Sequence, residues 1–79
     1  MNRYKINFSA ICPVNEDAIE YLLVIESSRM IAAERIMEAV SMCSKGFHEE
    51  FADTLHRKFG GRQFLVATHG EVTIETERG

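Results

Sequence analysis

The sequence predicts an α+β domain in the order β-β-α-α-β-β, an antiparallel sheet of about four strands with two helices packed on one face. Three stretches carry that expectation. "YKINFSAIC" alternates apolar and polar residues, as a strand with one buried face does. "FHEEFADTLHRKF" spaces its large apolar residues for a helix and stops at a glycine pair. "RQFLVATHGEVTIETER" places two short apolar runs around a glycine, as a hairpin does. Residues 1–79 are expected to form a single domain, because chains of this size hold one core.

Each element has its own warrant. In the first, Tyr4, Ile6, Phe8, Ala10 and Cys12 share one side of an extended chain, and Lys5, Asn7 and Ser9 share the other. "PVNED" then breaks the strand with a proline and turn-forming residues. In "AIEYLLVIES", Ile19, Tyr21, Leu23 and Ile25 alternate, while Leu22 and Val24 fill the opposite face. That reads as a central strand buried on both faces over 22–24, although Asn15, Glu16 and Asp17 also resemble a helix start. The first helix is expected from a cap at Ser27 or Ser28. Met30, Ala33, Met37 and Val40 would form its stripe with Ile36 and Cys43 beside them, and Lys45 and Gly46 would close it. In the second helix Phe47, Phe51, Leu55 and Phe59 align at about 100° per residue, with Ala52 at the edge. Glu49, Asp53 and Arg57 project oppositely, and Gly60-Gly61 ends the helix. In the hairpin, Phe64 and Val66 are expected to face inward with Val72 and Ile74 around a His69-Gly70 turn. Thr73, Glu75 and Glu77 lie outside, where acids guard an edge strand.

Composition narrows function. Nine basic against twelve acidic residues give a net charge of −3, with no footprint for a phosphate backbone, so no direct nucleic-acid binding is expected. No apolar run reaches the roughly 20 residues that span a bilayer, and "MNRYKINFSA" has no continuous signal-peptide core. The expected compartment is therefore the cytosol, with Cys12 and Cys43 reduced. A chain this short buries only about 60% of its unfolded surface, so a homodimer would add stability.

The candidate sites each have a plain reading beside the chemical one. "HEEFA" is not the H-E-x-x-H zinc signature, because Ala52 stands four residues after His48. A hydrogen-bonded histidine at the core margin is the expectation for His48. Glu49, Asp53 and His56 share a helical face that could hold a metal, but Asp53 can equally pair with Arg57 one turn on. Cys12, at a strand end, is either a nucleophile or a small half-buried thiol, and no basic neighbour in sequence lowers its pKa. Gly60-Gly61-Arg62 follows a helix, whereas phosphate-cradling loops precede one. No metal or cofactor is expected.

Three fragments resemble the nitrile-reducing queuosine branch of the tunnelling-fold family, whose members act on pterins and deazapurines. They are "CPV" at Cys12, "ESS" at Glu26 and "FHEE" at Phe47–Glu50, and the element order resembles that fold too. The resemblance implies Cys12 as nucleophile, Asp17 as proton donor and Glu49 as the acid that anchors a purine. Here the Cys-to-Asp interval is shorter than that family's, the spacing between the second and third fragments differs, and the chain is shorter than such enzymes.

The first expectation is therefore a non-enzymatic protein-binding module, such as an inhibitor or a phage or mobile-element accessory factor. It would cover a partner's basic surface with Glu49, Glu50, Asp53, Glu71, Glu75 and Glu77, and use Met30 and Met37 as an adaptable apolar face. The tunnelling-fold enzyme is the alternative, and a self-associating structural module is a third.

Overall fold

The computed structural model describes all 79 residues and has the element order β1 Asn2–Ile11, β2 Ala18–Ser27, α1 Ala33–Ser41, α2 His48–Phe59, β3 Arg62–His69 and β4 Val72–Arg78. The strands form one antiparallel sheet in the order β1-β2-β3-β4. The fold class and the assignment of 18–27 to an inner strand follow the expectation. Extended backbone prevails there because β-branched and aromatic residues dominate and each neighbour offers a complete ladder.

One face of the sheet and the two helices enclose the core. Ala10, Ile19, Tyr21, Leu23, Ile25, Leu65 and Ala67 contribute from the sheet, and Ile36, Ala39, Val40, Phe51, Ala52, Leu55 and Phe59 from the helices. Leu23, Ile25, Leu55 and Leu65 are the most completely buried. On the far face Leu22, Val24, Phe64 and Val66 form a half-buried apolar strip with polar residues on both sides. No layer covers that strip, so residues 22–24 are not fully buried on both faces.

Three local expectations are overturned. α1 is short: it starts after Ala32, which offers no side-chain cap, and it ends at Met42. β2 runs on through Ser27, whose hydroxyl accepts the Arg29 N–H at 3.0 Å in a tight turn, so neither serine caps the helix. Met30 lies outside α1 and is 87% exposed, and the buried stripe is Ile36, Ala39 and Val40. Lys45 and Gly46 do not finish the helix either. They pass along the end of β1, where Ser44 C=O accepts from Ile11 N–H at 2.9 Å and Ile11 C=O accepts from Gly46 N–H at 3.3 Å.

In β3 the inward residues are Gln63, Leu65 and Ala67, not Phe64 and Val66. Gln63 sets this register: its amide nitrogen donates to the carbonyls of Leu55 at 3.1 Å and Gly60 at 2.8 Å, which ties β3 to the end of α2. The hairpin turn is Gly70-Glu71, one residue later than expected, with φ +64° at Gly70 and His69 paired to Val72. Val72 and Ile74 do lie on the helix side, but the helices stop short of them and both are exposed.

α2 keeps its expected stripe except at Phe47, which precedes the helix and is 51% exposed. Glu50 accepts the Phe47 N–H at 3.3 Å, and Gly60 closes the helix at φ +64° with its N–H on the His56 carbonyl at 2.8 Å.

Candidate functional site

A cleft of about 290 Å³ opens at the end of the helical layer. Four separate segments wall it: Cys12 to Asn15 from the β1–β2 loop, Ile19 and Tyr21 from β2, Gly46 to His48 from the α1–α2 junction, and Ala67, His69 and Ile74 from the last hairpin. The strap at Ile11 brings the first and third of these segments together, because it lays residues 44–46 against the end of β1, next to Cys12.

The Cys12 loop is pinned by its own backbone. Cys12 N–H donates to the Asp17 carbonyl at 2.9 Å, and Cys12 C=O accepts from Glu16 N–H at 2.8 Å. Glu16 takes φ +61°, the left-handed region that costs a non-glycine residue about 1 kcal/mol. Its carboxylate meets Lys45 at 3.4 Å, which links the loop to the strap. Backbone strain of this kind persists where the surroundings over-determine it, and here it lies beside the candidate nucleophile.

His48 stands at the core margin as expected, but it has no hydrogen bond. Both ring nitrogens are buried without a partner. Its ring tilts against Tyr21 with centroids 5.6 Å apart, and Tyr21 stacks on Phe8 at 4.9 Å. Burial holds the imidazole pKa below its ordinary 6.5. The Leu65 carbonyl favours the protonated ring without reaching hydrogen-bond geometry, and Glu49 pulls the same way. His48 is therefore neutral at neutral pH. Burial also pushes the Tyr21 phenol up, reinforced by Cys12 and Cys43, and it raises the Cys43 thiol in the core. A thiol, a neutral imidazole and aromatic rings thus converge on one apolar hollow.

The other expected acids lie outside it. Asp17 is exposed on the Cys12 loop, with its N–H on the Asn15 side chain at 3.0 Å. Glu49 and Asp53 both engage Arg78, at 3.5 and 2.8 Å, so the partner of Asp53 is Arg78 on β4 rather than Arg57. Arg57 reaches Thr54 instead. Arg78 holds the Asp53 carboxyl below the usual carboxylate range. The six acids expected to meet a basic partner are spread over both faces of the molecule. Glu77 is neutralised by Arg62 at 3.0 Å, Glu50 is engaged at the α2 start, and Glu75 lies on the uncovered face of the sheet.

This backbone recurs in a solved enzyme. The chain aligns with the crystal structure of the archaeosine synthase QueF-Like in its apo form at a TM-score of 0.72 and 18% identity, covering 98% of this chain and 89% of that one. At that identity the likeness shows the fold. It also removes the objection of length, since the synthase chain is barely longer than this one. No protein-family profile and no curated protein matches the sequence. No helix is long and apolar enough to cross a membrane.

Sequence reasoning missed Tyr21, His69 and Ile74 as cleft residues and Arg78 as the counter-ion of Glu49. Only strand register brings them there. The one available signal was "CPV" and "FHEE" in the same chain.

Proposed function

We propose that this domain is a thiol-using enzyme of tunnelling-fold type whose cleft takes a planar nitrogen heterocycle of the pterin or deazapurine class. The observation that carries the reading is the meeting of Cys12 and His48 in one aromatic-walled cleft, on a backbone shared with an archaeosine synthase. Flat apolar walls suit a flat ring, and few polar groups suffice to orient it. Cys12 acts as the nucleophile. Glu49 lies outside the cleft lining, but it follows the lining residue His48 and is held by Arg78 at 3.5 Å, so it is the acid that would accept ring N–H donors of a heterocycle projecting from the cleft mouth.

With a nitrile-bearing deazapurine the first step is an addition. Cys12 Sγ bonds to the nitrile carbon, one carbon–nitrogen π bond breaks, and the thiol proton ends on the nitrogen. The product is a thioimidate, with no leaving group and no change in oxidation level. His48 is in the form that accepts the thiol proton, and Asp17, whose backbone is bonded to that of Cys12, is the candidate relay that receives this same proton from His48 and delivers it to the nitrogen. Val14, Phe47 and Ile74 leave an exposed apolar rim around the cleft, which a second copy of the chain would cover in a barrel-forming oligomer.

Intact-mass measurement tests this directly. Incubation with a deazapurine nitrile should add the full ligand mass to the protein and to Cys43→Ala, but not to Cys12→Ala. Light scattering should give an oligomer. A monomer whose Cys12 resists both the nitrile and iodoacetamide would refute the reading.

A further inference from the structure

We infer that a second cavity, beside the start of α1, is a phosphate-binding site held by Arg29, Arg35 and Lys58. The cavity, of about 260 Å³, is lined by those three cations with Ser27, Met30, Ile31 and Phe59, and shares no lining residue with the Cys12 cleft. Of the nine basic residues, Arg3, Lys45, Arg62 and Arg78 are in ion pairs, which leaves five without one. Three of those five meet here.

In a chain with twelve acids and a net charge of −3, no acid lines this cavity. Like charges drawn together repel, and an anion bound among these three would relieve that repulsion. Two guanidiniums and an ammonium match a phosphate group, which carries nearly two charges at neutral pH and accepts forked hydrogen bonds. Ser27 completes the set. It is 6% exposed, and its oxygen already accepts the Arg29 N–H at 3.0 Å, which leaves the hydroxyl proton to donate. The Arg35 guanidinium lies 5.7 Å from the centre of the buried Phe59 ring, which fixes one wall.

The test titrates the full chain with inorganic phosphate, adenosine monophosphate and a short single-stranded RNA, followed by amide chemical shifts and by affinity at several salt concentrations. Shifts should concentrate at Ser27, Ile31 and Lys58. The Arg29→Gln/Lys58→Gln double variant, which leaves Arg35 on Phe59, should bind roughly a hundredfold more weakly, at about tenfold per charge-assisted contact. Its melting curve serves as the folding control. For RNA, three contacts should give a log–log salt slope of about −2, and the double variant should flatten it. Equal affinity for the mononucleotide and the RNA would place the phosphate on a small ligand, and tighter RNA binding with that slope would place it on a strand. Either supports the site. Absence of shifts with all three probes, or wild-type affinity in a folded double variant, would overturn it. Adduct formation at Cys12 should be unchanged in the variant, so this test and the cleft's test fail separately.

Discussion

The two ends of the helical layer differ in what they lack. At the Cys12 end, apolar walls exclude water and strand two imidazole nitrogens without partners. At the Arg29 end, three cations and no acid line the walls, which is the arrangement on which the phosphate proposal rests. The first deficit suits a flat, weakly polar ring with a few edge donors, and the second suits a phosphate. Both arrangements cost folding stability, since an unpartnered buried polar atom and unbalanced like charges are each unfavourable. Stabilising substitutions at these two places should therefore damage binding, whereas substitutions in the core between them should not distinguish one end from the other.

The largest effect tests that shared core. Leu55 has no exposed surface and packs at the middle of α2. Leu55→Ala should cost about 2–5 kcal/mol by lost transfer energy and the cavity left behind. Denaturant melts should show one cooperative transition, moved bodily. Two separated transitions would mean that the ends fold independently.

Next comes a substitution confined to the cleft. A Cβ on Gly46 would lie 2.8 Å from Phe51 Cε1, and that ring packs edge-on against Tyr21 with centroids 5.6 Å apart. Gly46→Ala should cost about 1–3 kcal/mol through overpacking and slow adduct formation at Cys12, with phosphate affinity unchanged. Equal losses at both ends would show that the strap is merely part of the general scaffold.

His48→Leu should act oppositely on stability. It removes two unpartnered nitrogens and should stabilise the fold by about 1 kcal/mol while impairing adduct formation. It should also alter the response to acid. The folded pKa of His48 lies below the unfolded 6.5, so the unfolded chain binds more protons as pH falls. Stability linked to this residue is therefore intact above about pH 6.5 and lost as pH falls through the lowered folded value. Melting curves of the wild type should show that loss, and His48→Leu should flatten it. A variant with unchanged pH dependence would mean that another group is responsible.

How far the sequence revealed these ends follows from how local their determinants are. β1 was legible because one-sided burial prints an alternation, and α2 because Phe51, Leu55 and Phe59 lie on a straight stripe that Gly60 stops. The sequence makes α1 look too long because Met30 has the right spacing, while Ser27 already belongs to β2 and residues 28–32 connect the strand to the helix. β3 was read with the wrong parity because Gln63, a polar residue, faces inward to bond α2. Cys12 and His48 could be singled out in sequence, but their meeting depends on residues 44–46 returning to Ile11, which no periodicity encodes. The Arg29, Arg35 and Lys58 cavity was invisible for a related reason. Net charge averages over the chain, and three cations from a turn and two helices converge only in the folded state.

The smallest expected effect is the most discriminating for that cavity. Arg29 is exposed, so removing its charge should change stability by only a few tenths of a kcal/mol, and the direction is what matters. If the three cations repel one another as the absence of an acid implies, Arg29→Gln should raise the melting temperature slightly at low salt. The gain should vanish near 1 M salt, where screening acts over about 3 Å. Added phosphate should then stabilise the wild type more than the variant, because a ligand that binds only the folded chain adds stability that grows with the logarithm of its concentration over Kd. A variant that melts lower at low salt would mean that Arg29 has a favourable partner in solution, and the imbalance of charge at this end would not exist.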